Sequence, residues 1–421
     1  MDATPSKIDP VRTGTPCRYC GTVLTHSLID LGDQPLANSY LRDRPEDIAA
    51  ERRYPLHVKV CGGCFLAQVE TAVPADAIFS DYAYFSSYSA SWVAHAERYA
   101  KAMIDRFGIG PNSLVVEIAS NDGYLLKHFR DRSVPVLGVE PAANVAAVAE
   151  QAGIPTEVAF FNRETGRRLA EEGHCADLMA ANNVLAHVPD IRDFAAGFPE
   201  ILTPEGVATF EFPHLLRLID GTQFDTIYHE HYSYLSLLVV ERVFADVGLR
   251  VFDVEELPTH GGSLRVFACR AQASHAETAR LAALRAVEAE AGLHRIDTYL
   301  DFTPKAERVR AGFRAFLARC KAEGKTVAGY GAAAKGNTFL NYCGATAGDL
   351  VCVVDRNPEK QGRLLPGTHI PVRDPAVLTD VRPDYVLILP WNIAEEIVSS
   401  MGHVRDWGGR FVAAVPEIRE L

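Results

Sequence analysis

The sequence predicts an α/β protein in which a small N-terminal module precedes two domains with parallel sheets. From about residue 114 the chain alternates short apolar runs with helical periods, which indicates a parallel sheet with crossover helices. A long charged and alanine-rich stretch, from about Gln272 to Lys325, separates this alternation from a second one. Because 421 residues exceed what one core usually organises, we expect three domains, at residues 1–75, 76–271 and 272–421.

The composition limits the classes of function. Hydrophobic residues make up 48% and charged residues 23% of the chain, as is typical of a globular protein. The formal net charge of -12 argues against sequence-independent binding of nucleic acid, which needs a basic surface. The N-terminus lacks a signal-peptide core, and no segment approaches the roughly 20 apolar residues of a membrane span. We therefore expect a cytoplasmic protein that binds neither nucleic acid nor membranes; the sequence does not indicate its oligomeric state.

The N-terminal module contains two C-x-x-C pairs. They lie in CRYC and CGGC and consist of Cys17, Cys20, Cys61 and Cys64. Two such pairs about forty residues apart can place four thiolates tetrahedrally around zinc, and a site filled by four sulfurs is structural, not catalytic. We expect Gly21, Gly62 and Gly63 to allow the tight turns of the two pairs. Redox-active or unliganded cysteines are the alternative.

The middle domain offers four strand candidates, LVVEIAS, VLGVEP, ADLMAANNVL and VATFEFP. A helix that runs through AERYAKAMIDRF precedes them. The stretch between Gln272 and Lys325 is predicted to be mostly helical, with a break near Pro304. The last domain offers three further strand candidates, KTVAGYG, VCVVD and YVLILP.

The turn after the first of these strands predicts a cofactor site. Its polar and small residues let the backbone pass close to a ligand at the carboxyl end of a strand; they are Glu117, Ala119, Asn121, Asp122 and Gly123. About twenty residues on, Glu140 can accept hydrogen bonds from both hydroxyls of an adenosine ribose. The turn lacks the glycines of G-x-G-x-x-G, so S-adenosylmethionine, which has no pyrophosphate, fits better than a dinucleotide. Alternatively, Glu140 only caps the helix that follows Pro141.

Two further segments place polar side chains at the same edge of the sheet. The third strand ends in Asn182 and Asn183, which could hold the methionine part of the cofactor, and His187 follows. The segment YHEHY contains two histidines, a carboxylate and two tyrosines, which are costly to bury without partners. We interpret this segment as the lining of a catalytic cavity; its histidines lack the H-E-x-x-H spacing of a zinc protease.

Five motifs in order resemble those of one enzyme family. They are the paired C-x-x-C module, EIASNDG, YHEHYSYLS, HGGSLR and GYGAAAKGN. Over nearly its whole length the chain resembles the sugar C-methyltransferases of deoxysugar biosynthesis, most closely those that methylate C-3 of nucleotide-linked 4-keto-6-deoxysugars. The resemblance implies a zinc-binding domain, a Rossmann-like methyltransferase domain and a C-terminal Rossmann-like domain that binds the sugar nucleotide. It also implies S-adenosylmethionine and structural zinc as cofactors, a dTDP-linked substrate and a role in deoxysugar or antibiotic biosynthesis.

The resemblance also assigns roles to residues. It implies that His231 is the general base, surrounded by Tyr228, Glu230, His187 and a tyrosine of DYAYFSSY, for which Tyr82 is the first choice and Tyr84 and Tyr88 remain open. The chemistry suits these residue types, because a carbon beside a ketone loses its proton only to a positioned base while donors stabilise the oxygen. The sequence leaves open methylation at C-3 or C-5, an amine on the sugar and the base of the nucleotide.

The last domain contains a second candidate ligand turn. Gly329, Gly331 and Ala334, followed by Asp355 at the end of the next strand, fit the G-x-G-x-x-A form of the dinucleotide fingerprint. From these residues alone, an NAD-dependent oxidoreductase of nucleotide sugars is the alternative function. The same turn can equally bind the diphosphate of a sugar nucleotide, with Lys335 adding positive charge.

Further candidates for binding the substrate lie near this second turn and in THGGSLR. They are His260, Ser263, Arg265 and Asn337. For the three in THGGSLR, a structural role at the end of a strand is the alternative. A third hypothesis is a non-enzymatic binding module, in which the zinc unit recognises nucleic acid or protein.

Overall fold

The computed structural model of the protein describes residues 14–70, 73, 87 and 90–421. Three larger sheets organise these residues, in agreement with the predicted α/β class. No helix within these ranges is long and apolar enough to cross a bilayer.

The first sheet is antiparallel and has the strand order β1-β3-β4-β10. Its region contains β1 (His26–Pro35), β2 (Leu41–Arg42), α1 (Pro45–Ala49), β3 (Arg53–Val60) and β4 (Ala67–Val69). The last strand of the sheet, β10 (Ser233–Tyr234), comes from the middle of the chain and directly follows YHEHY. The short strand β2 pairs instead with β15 (Arg363–Leu364). The N-terminal region is therefore joined by strand pairing to both later parts of the chain.

The second sheet has seven strands in the order β11-β12-β9-β8-β5-β6-β7. The strands are β5 (Val115–Ile118), β6 (Val136–Val139), β7 (Thr156–Glu157), β8 (Ala176–Asn182), β9 (Leu202–Pro213), β11 (Leu249–Leu257) and β12 (Ser263–Arg270). The helices around it are α2 (Ala90–Phe107), α3 (Leu126–Arg130), α4 (Ala143–Gln151), α5 (Arg163–Glu171), α6 (Ile191–Ile201), α7 (Leu215–Asp220) and α8 (Leu237–Asp246).

The pairing of this sheet identifies its ligand crevice. Strands β5 to β9 are parallel, and β11 and β12 form an antiparallel edge. The four predicted apolar runs form β5, β6, β8 and β9, as expected. Since β5 lies between β6 and β8, the strand order reverses there, and open α/β sheets bind ligands at the carboxyl ends of strands at such a switch point.

The predicted helical stretch consists of α9 (Ala279–Glu290), α10 (Ile296–Leu300) and α11 (Phe302–Ala322). The chain breaks between these helices, a few residues before the expected position at Pro304. That proline is the third residue of α11, where a missing N–H costs little because the first-turn amides have no intrahelical partner.

The third sheet has the order β16-β14-β13-β17-β18-β19 and is parallel except for β19. Its strands are β13 (Val327–Tyr330), β14 (Val353–Val354), β16 (Val372–Arg373), β17 (Tyr385–Ile388), β18 (Arg410–Ala413) and β19 (Arg419–Glu420). Its helices are α12 (Ala334–Cys343), α13 (Val377–Val381) and α14 (Ala394–Ser400). The three predicted strands, β13, β14 and β17, lie side by side, with β13 at the switch point.

One hydrophobic core joins the first sheet to the helices beside the third. Leu28 and Val58 belong to the same buried cluster as Phe313 of α11 and Phe339 of α12. The hydroxyl of Thr303 also donates to the Leu28 carbonyl at 2.8 Å. The division at residues 75/76 and 271/272 stays a prediction.

Candidate active site

The four cysteines of the N-terminal region meet in space. Their sulfur atoms all lie within 4.8 Å of one another. Cys17 faces Cys64 at 3.6 Å and Cys20 faces Cys61 at 3.4 Å, so each pair contributes one sulfur to either contact. Four converging sulfurs match the ligand set of a structural zinc site.

The two C-x-x-C pairs share one backbone pattern. The residue after each pair, Gly21 or Phe65, donates its N–H at 2.9 Å to the carbonyl of the first cysteine of that pair. Both residues have a left-handed φ, +74° at Gly21 and +67° at Phe65. Gly62 and Gly63, in the turn between the cysteines of the second pair, do not have a left-handed φ. They provide space instead, since a Cβ on Gly62 would lie 3.2 Å from the His26 ring.

The turn after β5 is tightly wound. Ala119, Asn121 and Gly123 have φ values of +54°, +50° and +77°. A Cβ at Gly123 would lie 2.9 Å from the Ile154 side chain, so this position needs glycine for space as well as for conformation. The turn lies at the carboxyl end of β5, and its close approach to a ligand stays a prediction.

Glu140 fixes this turn from the end of the neighbouring strand. One carboxylate oxygen accepts the N–H of Asn121 at 3.0 Å, and the other accepts the N–H of Ala142 at 2.9 Å. Burial raises the pKa of Glu140, and these two bonds oppose the rise. Because Ala142 is the residue before α4, Glu140 also performs part of the capping role that was the alternative prediction.

Several buried oxygens around the crevice have no hydrogen-bond partner within the described part of the chain. They are Glu117 Oε2, Ser120 Oγ, Asp122 Oδ1 and Asn182 Oδ1. Burial, followed by the charges of Glu140 and Asp122, raises the pKa of Glu117 well above its usual value. Leaving such a group unpaired costs about 1–3 kcal/mol. A ligand rich in hydrogen-bond donors would satisfy them, and the ammonium and ribose hydroxyls of S-adenosylmethionine are such donors.

Asn183 joins the end of β8 to β9 through its backbone. Its φ is +56°, and its N–H donates to the Glu211 carbonyl at 2.7 Å.

His231 lies in a buried cluster of rings, with 8% of its surface exposed. Its Nδ1 donates to the Thr226 carbonyl at 3.0 Å, so the proton is on Nδ1 and Nε2 is the acceptor of the ring. The ring centroids of Tyr228 and His187 lie 4.1 and 4.7 Å away. Burial, and then the neighbouring His187, hold the pKa of His231 well below its usual value. Burial also lowers the pKa of His187 to about 4, so both rings are neutral at neutral pH.

The other two polar residues of the YHEHY segment face in different directions. Glu230 is buried and accepts a 2.6 Å hydrogen bond from the amide of Asn38. Burial raises the pKa of Glu230, and the bond from Asn38 opposes this. His229 instead packs on Tyr54 of β3 and donates to the Tyr54 carbonyl at 3.2 Å. The candidate tyrosines Tyr82, Tyr84 and Tyr88 lie outside the described residues.

The three candidates in THGGSLR have different surroundings. His260 has a left-handed φ of +55°, and its ring centroid is 5.6 Å from that of Trp92; burial, and then Lys335, lower its pKa to about 4. The Ser263 hydroxyl donates to the Thr259 carbonyl at 2.9 Å.

Arg265 is held by acidic side chains. Its guanidinium donates to Glu211 Oε1 at 2.8 and 2.5 Å and to Glu255 at 2.7 Å. These contacts agree with the alternative prediction, in which Ser263 and Arg265 have a structural role at the end of a strand.

The second candidate turn follows β13. Gly329 faces Val353 within the sheet, and Gly331 has φ +89° with Pro390 directly against it. Asp355 accepts the N–H of Ala332 at 2.7 Å.

The segment that contains Asn38 covers this second turn. The Tyr40 hydroxyl donates to the Ala332 carbonyl, and the Asn337 amide donates to the Ala37 carbonyl at 2.6 Å. Lys335, at the start of α12, is half-buried and donates to Asn392 at 2.7 Å.

The structure adds residues to the site that sequence reasoning missed. Asn38 contacts Glu230 and Trp391 contacts Lys335, in each case from a distant part of the chain, and Asp225 in turn accepts the Trp391 indole N–H; no local pattern marks these three residues. Val158 and Phe160 follow β7 beside Glu140 and are exposed although apolar, 51% and 52% respectively.

Comparison with known proteins gives three family matches along the chain. They are a zinc binding domain at residues 17–79, a methyltransferase domain at 92–254 and a C-methyltransferase C-terminal domain at 258–416. The C-methyltransferase NovU of Streptomyces niveus is 38% identical over 413 residues, which cover 98% of both chains.

Solved structures give weaker matches. An S-adenosylmethionine-dependent methyltransferase from Mesorhizobium loti has 16% identity and a TM-score of 0.34, over 42% of this chain and 98% of that one. Magnesium protoporphyrin IX methyltransferase from Synechocystis PCC 6803 has 14% identity and a TM-score of 0.34, over 42% and 83%. TM-scores this low do not identify a family. The relative that matches over 98% of both chains and the three family matches show that this chain belongs to the S-adenosylmethionine-dependent C-methyltransferases that carry a zinc-binding domain.

Proposed function

We propose that this enzyme methylates C-3 of a dTDP-linked 4-keto-deoxysugar in the cytoplasm, within deoxysugar or antibiotic biosynthesis. The observation that carries the proposal is the arrangement of His231. Its Nδ1 is committed to the Thr226 carbonyl, which leaves Nε2 as a proton acceptor in a buried polar cluster. The chain's relationship to a C-methyltransferase requires such an acceptor for a carbon-bound proton.

The reaction begins with removal of the proton beside the ketone. His231 Nε2 takes this proton, and the electron pair of the broken C–H bond moves toward the ketone oxygen to give an enolate. Because the His231 pKa is lowered by burial, the ring is neutral and able to accept a proton at neutral pH. Tyr228, whose ring lies next to that of His231, would hydrogen-bond the developing oxyanion through its hydroxyl, and the neutral His187 ring packs against His231 on another side.

The second step forms the new C–C bond. When bound, S-adenosylmethionine would supply the methyl group as an electrophile: the bond between the methyl carbon and the sulfonium sulfur would break, with its electron pair staying on sulfur, and S-adenosylhomocysteine would leave. The crevice residues would hold the methyl donor in line with the enolate carbon, with Glu140 accepting from the ribose hydroxyls and the unpaired oxygens of Asp122 and Asn182 accepting from the amino-acid part.

Positive charge beside the cluster supports an anionic substrate. The Lys335 ammonium lies 4.8 Å from the centroid of the Trp391 ring, and that ring packs against Gly261, next to His260. Burial, and then the charge of Lys335, lower the pKa of His260. An ammonium in that position suits the diphosphate of a sugar nucleotide. NAD-dependent oxidation has less support, because the relative that matches over 98% of this chain is a C-methyltransferase.

The test is solvent deuterium exchange. The protein is incubated with candidate keto-sugar nucleotides in deuterated water, without methyl donor, and deuterium is located by NMR. We expect exchange beside the ketone with wild-type protein, and a loss of exchange and turnover of about 10²- to 10⁴-fold in His231→Asn. His231→Asn should keep its affinity for S-adenosylmethionine.

His229→Asn is the matched control. This ring lies two residues away but faces Tyr54, so its loss should lower stability and leave exchange per folded molecule unchanged. Exchange at the wild-type rate in His231→Asn would remove this residue from the base role. Absence of exchange and turnover with every 4-keto sugar nucleotide would contradict the proposed substrate class.

A further inference from the structure

One short segment connects the base to the second ligand turn. The 3-10 turn Phe224–Thr226 lies just before YHEHY. Next to it, the Gln223 amide donates to the Gly261 carbonyl at 2.8 Å, and the Thr226 carbonyl accepts the hydrogen bond from His231 Nδ1. The middle residue of the turn, Asp225, accepts the indole N–H of Trp391 at 2.7 Å.

Trp391 and its neighbour surround the ammonium of Lys335. The Lys335 Nζ lies 4.8 Å from the centroid of the Trp391 ring and donates to Asn392 at 2.7 Å. Asp225 lies beneath, with 1% of its surface exposed, and its Oδ1 has no hydrogen-bond partner in the part of the chain that the structure describes. A buried carboxylate thus supports an aromatic face on which a half-buried cation rests.

We propose that Asp225 is a positioning residue for the substrate's diphosphate: it fixes Trp391 through the indole N–H and keeps the Lys335 ammonium charged in the cleft. The proposal rests on the proposed function. Asp225 would not touch the diphosphate, because its carboxylate is buried behind the indole; it would act through Lys335.

The titratable groups that face Lys335 are Asp225, His231 and His260. Burial lowers the pKa of Lys335, and the negative charge of Asp225 opposes this. The two imidazoles are neutral because burial lowers their pKa values, so they add no positive charge beside Lys335, and Asp225 is the group of the three that can supply a negative charge. Without the charge of Asp225, Lys335 should therefore lose its proton at a lower pH.

Asp225→Asn removes the negative charge and keeps the shape of the side chain, because the amide oxygen can still accept the indole N–H. Thymidine diphosphate is titrated into the S-adenosylhomocysteine-loaded protein by calorimetry, from neutral to alkaline pH. We expect binding to the wild type to weaken on the alkaline side as Lys335 deprotonates. In Asp225→Asn the weakening should begin at lower pH and reach on the order of tenfold at a pH where the wild type still binds.

Two variants accompany this titration. Asp384→Asn is the matched control, because its carboxylate pairs with Lys325 on the exposed amino-terminal side of the same sheet and should leave the curve unchanged. Lys335→Arg keeps its charge at every pH used and should abolish the alkaline weakening, which tests the inference even if Asp225→Asn fails to fold.

The outcomes separate the two proposals. A wild type that binds no thymidine diphosphate at any pH contradicts the proposed nucleotide-sugar substrate. A wild type that binds with an alkaline transition, together with an unshifted curve in folded Asp225→Asn or a persistent transition in Lys335→Arg, overturns the role of Asp225 alone.

Discussion

The turns after β5 and β13 use the same backbone device but are covered differently. In the first, Glu140 accepts the N–H groups of Asn121 and Ala142. In the second, Asp355 accepts those of Ala332 at 2.7 Å and Asn357 at 2.8 Å. In both cases, an acidic residue directly after the neighbouring strand accepts two backbone hydrogen bonds. One carboxylate oxygen accepts an N–H of the turn, and the other accepts the N–H of the residue two positions after the acidic residue itself.

What lies against each turn distinguishes them. Around the first, buried oxygens such as Asp122 Oδ1 and Asn182 Oδ1 lack partners among the described residues. At the second, Tyr40 and Lys360 both donate to the Ala332 carbonyl, the latter at 2.6 Å. The second turn has the better glycine fingerprint but is covered by these donors; buried oxygens without a described partner lie near both turns, four around the first, and Asp225 Oδ1 and Asn337 Oδ1 near the second. We therefore expect the cofactor at the first turn, where more of the buried oxygens lack a described partner.

The largest effect should separate the two acidic residues. Glu140→Gln should weaken binding of S-adenosylmethionine roughly 10- to 100-fold, because hydrogen bonds to a charged group contribute about 1.5–3 kcal/mol. Asp355→Asn is the matched change at the second turn and should alter this affinity by less than about twofold. Calorimetric titration measures both. An equal loss in the two variants would mean that the cofactor is not confined to the first crevice.

A smaller effect should appear in the pH dependence and tests whether the two turns face one cleft. His231 acts as a base only when neutral, so kcat/KM should fall as the pH decreases through its pKa. Burial and His187 lower that pKa, and the charge of Lys335 contributes, so the acidic limb should lie below pH 6.5. Lys335→Met removes a depressing charge and should move the limb to higher pH. A limb that stays in place in this variant would place Lys335 outside the electrostatic reach of the base.

The smallest effect concerns the cover of the second turn. Tyr40→Phe removes only the hydroxyl that donates to Ala332 and should cost about 1 kcal/mol of unfolding free energy, seen as a decrease in Tm of a few degrees at most. Binding of S-adenosylmethionine should not change. A large loss of cofactor affinity would contradict the separation of the two turns.

Local patterns predicted much of the fold and one wall of the site. Apolar runs identified β5, β6, β8 and β9, and small residues after β5 identified the crevice, because strand burial and turn geometry depend on neighbours in the chain. The zinc site was predictable for the same reason, since the spacing within each cysteine pair constrains its geometry.

Contacts between distant segments were beyond prediction. Asn38 reaches Glu230, and Asp225 reaches Trp391, across 192 and 166 residues. The strand β10 has two residues, too few for a periodic pattern. Phe65 takes a left-handed turn that glycine usually occupies, because the cysteines around it fix the backbone.

The position of β10 gives the zinc site a consequence for chemistry. Arg18, between the cysteines of the first pair, donates to the Val69 carbonyl at 2.6 Å and to that of Tyr232, and β10 begins one residue later. The backbone that carries His231, the proposed base, is therefore joined to the edge of the sheet beside the cysteine cluster. Zinc would therefore be needed for activity even though it does not contact the substrate. Without zinc the sheet would loosen, and the His231 ring would lose its alignment.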